Sequence, residues 1–193
     1  MIGKRFAGCT FESFNPEGNE KAVAACERVA SGEAEGVLLF GPVGTGKTHL
    51  LVALVRAANK EASGEFNDEG EYVYTQKAIS IEYWPILDLA GELREEIGAG
   101  RHEVIERCKE CGVLVLDDLG SERSTDFVLE ALERIIDFRY RDQRPIAIGT
   151  NLSPEQIQGK YGERAISRWA QSCEVVQMVG VDHRLEVQHD ERY

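Results

Sequence analysis

The stretch 39-LFGPVGTGKTHL-50 decides how the rest of the chain is read. Gly41-Pro42-Val43-Gly44-Thr45-Gly46-Lys47-Thr48 has the spacing G-x-x-x-x-G-K-[ST]. It follows the continuous apolar run Val37–Phe40 and precedes Leu50, Leu51, Leu54, Ala57 and Ala58, which mark one helix face. A strand that ends in a glycine-rich turn and restarts as a helix aims backbone N–H groups and a helix N-terminus at one point, which suits phosphate oxygens. Lys47 is expected to reach the β- and γ-phosphates, and the Thr48 hydroxyl to ligate Mg2+. Kinases, GTPases, helicases and motors share such a loop, so it fixes the ligand class and leaves the use of the phosphates open.

A second buried strand, 113-VLVLDDLG-120, ends in two carboxylates, a costly arrangement unless they meet a cation. Asp117 is expected to partner Mg2+ through water, and Asp118 to polarise an attacking water. Successive strand residues point to opposite faces, so the two are expected not to share a role. Asn151 follows a third apolar strand, Pro145–Gly149. It either holds the water or a γ-phosphate oxygen, or is the turn residue before a Ser153 cap. Arg164 and Arg168 are four apart and share a helix face. Charge on a transferring phosphoryl group usually needs an arginine beyond the loop. Arg168 is read as offering that charge to a neighbouring subunit, the alternative being a surface ion pair with a residue such as Glu155 or Glu163.

The remaining pattern alternates. A helix is predicted over Glu20–Ala30, a surface loop over 61–71, and strands over 72–75 and 79–84. A helix stripe follows at Ile86, Ala90, Leu93 and Ile97, then a charged helix over 101–109. A long amphipathic helix over Thr125–Tyr140 is capped by Ser124 or Thr125. Ser153-Pro154-Glu155-Gln156 opens a helix running to about residue 170, and a last strand covers 174–179. Strands alternating with helices predict an α/β fold, a parallel sheet of about five strands covered on both faces, with ligands beyond the C-terminal strand ends.

The 193 residues suit one domain. A net charge of −12 argues against binding DNA through the overall field. The clusters Arg134/Arg139/Arg141/Arg144 and Arg101/Arg107/Lys109 read as solvated helix faces. Five cysteines, an odd number, argue against a disulfide framework. Cys108 and Cys111 lack a second pair for zinc, and Cys108 falls in phase with Val104 and Ile105 as a core residue. No apolar run reaches the ~20 residues of a membrane span and no apolar signal core opens the chain, so a cytoplasmic location without a membrane partner is expected.

Together, 47-KTHLL-51, 116-LDDLGSER-123, 144-RPIAIGTNLSPEQI-157 and 161-YGERAISRW-169 resemble the AAA+ ATPase core of the DnaC/DnaI helicase loaders and their transposon relative IstB. The opening 5-RFAGCTFESF-14, with Gly18-Asn19, is similar to the lead-in to that core, so the resemblance covers nearly the whole chain. It implies one AAA+ domain over 1–193, an irregular lead-in over 1–20, no separate helical lid, and too little sequence before Thr10 for a helicase-gripping domain. ATP or ADP with Mg2+ are the implied ligands, held by residues 41–48 and the adjoining His49. Asn151 matches sensor 1. Arg168 matches a trans-acting arginine finger, with Arg164 as its substitute. Arg184, in 182-DHRL-185, matches a late arginine near the nucleotide. The segment from about Tyr83 to Lys109 matches an insertion that lies near single-stranded DNA in relatives, so Tyr83 and Trp84 either stack on bases or end a core strand.

The implied function is ATP binding and hydrolysis by a helicase loader of DNA replication. It would act as a nucleotide-dependent assembly switch on single-stranded DNA, as a homo-oligomer or filament, with a replicative helicase as a further partner. An IstB-like transposition ATPase is the alternative. A P-loop small-molecule kinase leaves Asn151 and the GERAISRW segment unexplained. Two departures stand out. Asp118 is one methylene shorter than the Glu of many AAA+ proteins, so slow hydrolysis is expected. The segment 70-GEYVYTQKAISIEYW-84 holds more strand-forming sequence than one strand uses, which allows a hairpin.

Overall fold

The computed structural model describes residues 2–59, 63–66, 72–76, 79–123 and 125–180. After a 3-10 turn at Lys4–Phe6, the elements are α1 (Glu20–Ser31), β1 (Gly36–Phe40), α2 (Lys47–Ala58), β2 (Ser63–Phe66), β3 (Tyr72–Gln76), β4 (Ile81–Pro85), α3 (Ile86–Gly98), α4 (Glu103–Glu110), β5 (Val113–Leu119), α5 (Asp126–Arg141), β6 (Ile146–Thr150), α6 (Pro154–Tyr161), α7 (Glu163–Ser172) and β7 (Glu174–Gln177). Five strands form one parallel sheet in the order β4-β5-β6-β1-β7. This is the expected α/β class.

Continuous apolar strands are buried on both faces, as parallel sheets require. Leu38, Leu114, Leu116, Ile146 and Ile148 face α3 to α7, whereas Val37, Leu39, Val113, Val115 and Ala147 face α1 and α2. Cys108 packs with Val104 and Ile105 in the first of these cores, as its phase predicts. Asn19 ties the lead-in to the end of the last strand: its side chain accepts from Val179 N and donates to Val179 O, both at 2.9 Å. No described helix is long and apolar enough to cross a membrane.

Three expectations are corrected. Within the predicted loop 61–71, Ser63–Phe66 pairs antiparallel with Tyr72–Gln76, making a two-stranded sheet apart from the main one. Pairing with a Tyr- and Val-rich partner overrides the local Gly and Glu content. The helix from Pro154 to about residue 170 is two helices, because Gly162 adopts φ 85°, ψ 165° between α6 and α7. Arg139 is not on a solvated face. Its side chain is 1% exposed, and Nη1 donates to the carbonyls of Cys108 (2.9 Å), Lys109 (3.1 Å) and Cys111 (2.9 Å). Its Nη2 donates to the Gly112 and Pro145 carbonyls.

The guanidinium therefore answers the orphan carbonyls at the C-terminus of α4, the negative end of that helix. The other end is answered by the buried Glu96, whose two oxygens accept from Val104 N at 3.0 and 2.9 Å. This eight-residue helix is held at both ends by charges from its neighbours.

Arg139→Leu should lower unfolding stability by about 3 kcal/mol, because several buried carbonyls lose their donor. Arg134→Leu, on the exposed face of the same helix, should change it by less than about 0.5 kcal/mol. Urea unfolding midpoints check both.

Candidate nucleotide-binding site

The C-terminal ends of β1, β4, β5 and β6 open into a cleft of ≈ 690 Å³ that contains Gly44, Gly46, Lys47, Thr48, Asp117, Asp118 and Asn151. Gly41, Gly44 and Gly46 have φ of 144°, 84° and 93°, the left-handed side of the map that lets the loop turn its N–H groups inward. Gly41 is also pressed against β7: a Cβ there would lie 2.3 Å from the Met178 carbonyl oxygen. Lys47 is 7% exposed, and its ammonium donates to the carbonyls of Gly41 (2.8 Å) and Pro42 (2.6 Å). Thr45 braces the same turn by donating to Pro42 O at 3.0 Å. Val43 is exposed at the loop tip.

Asp117 lies opposite. It is 6% exposed and accepts from Tyr83 Oη at 2.8 Å and from Asp118 N at 2.9 Å, with Thr48 beside it in the cleft. Burial, helped by the neighbouring Asp118 charge, holds its carboxyl above the ordinary range in spite of those hydrogen bonds. An aspartate whose donors do not cover its desolvation, set beside a threonine hydroxyl, is a fitting place for a divalent cation.

Asp118 departs from strand alternation. It has φ 58°, and the register with β6 shifts between Leu116 and Leu119, so one extra residue bulges out of β5. The bulge brings both aspartates to the cleft, and the expectation that they face opposite sides is corrected. Asn151 donates from Nδ2 to Asp118 Oδ1 at 2.8 Å. The residue before it, Thr150, donates to the Leu119 carbonyl at 2.6 Å. The two strand ends are thus stitched together where the carboxylate projects.

Several neighbours of the site carried no signal in their local pattern. Phe14 lies against the loop: a Cβ on Gly46 would meet its ring at 2.5 Å. Arg5, Phe6 and Cys9 of the lead-in also line the cleft. His49 turns toward the same segment, with Nε2 2.9 Å from Thr10 O and 3.2 Å from Ser13 Oγ. A carbonyl only accepts, so that nitrogen carries the ring proton. Tyr83 faces the cleft, whereas Trp84 packs against the opposite core beneath the Arg107 guanidinium. Arg164 is exposed on α7, and Arg168 pairs with Asp137 of α5 at 2.5 Å. Neither arginine lines the cleft. Arg184 lies outside the described residues.

Residues 20–148 match the family described as AAA ATPase domain. The chain belongs to that family. It is 27% identical over 172 residues to the phage-like element PBSX protein XkdC of Bacillus subtilis, covering 81% of this chain and 59% of that protein. It is 28% identical over 132 residues to the replicative helicase loader DnaI of Bacillus subtilis, covering 68% of this chain and 38% of that protein. Among solved structures, a DnaC helicase loader superposes with a TM-score of 0.74 at 24% identity, over 92% of this chain and 100% of that one. The chain spans about half the length of the curated relatives it matches. The likeness to a helicase-loader core seen in the motifs thus extends to the fold, and the chain has a nucleotide-binding AAA+ core.

Gly46→Ala should weaken ATP binding by at least about tenfold, since the new methyl both strains a left-handed residue and strikes Phe14. Gly159→Ala, in α6 with open space around it, should leave binding unchanged and add about 0.5 kcal/mol of stability. Calorimetric titration with ATP and thermal unfolding measure the pair.

Proposed function

We propose that the chain is an ATP-dependent assembly switch of the helicase-loader type, in which bound ATP bridges adjacent copies and hydrolysis releases the bridge. One observation carries the reading. The cleft gathers Lys47, Thr48, Asp117, Asp118 and Asn151, whereas Arg164 and Arg168 stand on α7 outside its lining. Negative charge on a γ-phosphoryl group in flight needs cations that are already in place. The copy that owns the cleft supplies Lys47 and, from the lead-in, Arg5, and in this reading Arg168 of an adjoining copy supplies a further one. Its ion pair with Asp137 is partly solvated, so releasing it costs about 1 kcal/mol or less.

Lys47 is poised to leave the Gly41 and Pro42 carbonyls for phosphate oxygens, which are stronger acceptors. Thr48 and Asp117 would hold the Mg2+ that accompanies ATP, which neutralises charge on the β- and γ-oxygens when bound. Asp118 takes the proton of the attacking water as the new P–O bond forms and the bond to the ADP oxygen breaks. Asn151 fixes the Asp118 carboxylate through its side-chain amide.

Similarity to DnaI supports the loader reading, and similarity to a putative ATP-binding protein of an insertion sequence supports the IstB-like alternative. Single-stranded DNA and a replicative helicase are the partners the loader reading implies. An IstB-like role uses the same side chains, and the net charge of −12 disfavours it, because wrapping duplex DNA calls for basic surface.

Turnover per subunit should rise with protein concentration, and sedimentation should show self-association on adding Mg2+ and a non-hydrolysable ATP analogue. Arg168→Ala should lower turnover about 100-fold or more and leave ATP affinity intact. Turnover independent of concentration, with Arg168→Ala at the parent rate, would contradict the reading.

A further inference from the structure

The described residues bury five charged side chains: Lys47, Glu96, Asp117, Glu122 and Arg139. Four have roles already derived, two in the cleft and two at the ends of α4. Glu122 has none. It is absent from the cleft lining and caps no helix, yet its side chain is 0% exposed. A carboxylate that far from water persists only with its lone pairs met.

They are met by three donors. Gly120 N lies 2.9 Å from Oε2, while Tyr161 Oη (2.6 Å) and Lys160 Nζ (2.9 Å) meet Oε1. The same ammonium donates to the backbone carbonyls of Gly120 (2.6 Å) and Glu122 (3.0 Å). The turn that leaves β5 is thereby closed on itself and fastened to the last turn of α6. Burial pushes the Glu122 carboxyl up, but its hydrogen bonds to Tyr161 and Lys160 win and hold it below the usual range, so the carboxylate is the form the network is built for.

The fastened turn begins two residues after Asp118. Gly120 has φ 104°, and a Cβ on it would lie 2.5 Å from Leu152, the neighbour of Asn151. Asp118 therefore sits in a left-handed bulge with β5 before it and the Glu122 clamp after it. A non-glycine residue keeps that conformation only where its surroundings over-determine it. The bond from Asn151 acts on the carboxylate, and the clamp acts on the backbone that carries it.

We propose that Glu122 is a positioning residue for hydrolysis: by closing the Gly120–Glu122 turn onto Lys160 and Tyr161 it holds Asp118 at the γ-phosphate end of the cleft. This rests on Asp118 as the group that takes the proton of the attacking water. Phosphate binding through Lys47 and Thr48 does not pass through the clamp, so affinity and turnover should separate. Displacing a reacting group by about 1 Å can cost as much as 100-fold in rate.

The test compares Glu122→Gln/Lys160→Met, Tyr161→Phe and Asp118→Asn with the parent chain under assembling conditions, measuring unfolding midpoint, Mg2+-ATP affinity, KM and kcat. The double variant removes the buried carboxylate and its half-buried ammonium partner together, leaving no charge unpaired, so its midpoint should stay near the parent value. Its affinity and KM should stay within about twofold while kcat falls at least about tenfold. Tyr161→Phe keeps the ring against Trp169 and should lower kcat by a smaller factor with the same split. If the double variant fails to fold, Tyr161→Phe decides alone. An inactive Asp118→Asn beside clamp variants with parental kcat would overturn the role of Glu122 only. The same holds if their kcat falls only in step with stability or KM. An active Asp118→Asn would overturn the role of Asp118, and that of Glu122 with it.

Discussion

A missing side chain sets the geometry of the site. Gly149 lies on the central strand β6, and a Cβ there would come within 2.8 Å of Leu51 Cδ1, 3.1 Å of Asp117 Oδ1 and 3.7 Å of Lys47 Cβ. A side chain at this position would crowd the approach of the first turn of α2 and the end of β5 over the sheet edge. That approach brings a buried ammonium and a buried carboxylate to one cleft. The ammonium donates to loop carbonyls, and the carboxylate accepts from the Tyr83 hydroxyl and one backbone N–H. The parallel sheet, its covering helices and the glycine turn hold both side chains at one cleft open to solvent.

The same economy runs through the other buried charges. Arg139 and Glu96 are not ion-paired with each other. Each answers backbone groups at one end of α4. Glu122 answers both a backbone N–H and two side-chain donors, and so joins the turn after β5 to α6. Among the described residues, Arg139, Glu96 and Glu122 thus all fix backbone.

Much of this was legible in the sequence because it rests on local rules. The glycine-rich loop declares itself by spacing, and the β-strands by continuous apolar runs. The α6 start declares itself as a capping box, in which Ser153 accepts from Gln156 N at 3.3 Å and the Gln156 side chain accepts from Ser153 N at 2.8 Å. What escaped depends on partners distant in the chain. The bulge at Asp118 is a mismatch of register with β6, which strand alternation alone cannot reveal. The place of Phe14 against Gly46 and the bond from Tyr83 to Asp117 join segments about thirty residues apart. Arg139 could have been found, since it continues the buried stripe of Val128, Leu132 and Ile135 at helical spacing. Reading it by its charge and not by its phase hid it. Gly162, a glycine between two amphipathic stretches, is a local break signal that marks the boundary of α6 and α7.

The central claim is that Lys47 and Asp117, both set beside Gly149 in one cleft, take up a triphosphate and its divalent cation. Titration of ATP into Asp117→Asn and the parent chain, each with and without Mg2+, tests it most directly. The expected result is tighter binding with Mg2+ in the parent chain and loss of that dependence in Asp117→Asn, whose affinity for metal-free ATP should be equal or higher, since a negative charge facing the phosphates has gone. An Asp117→Asn chain that keeps the full Mg2+ dependence would contradict the account.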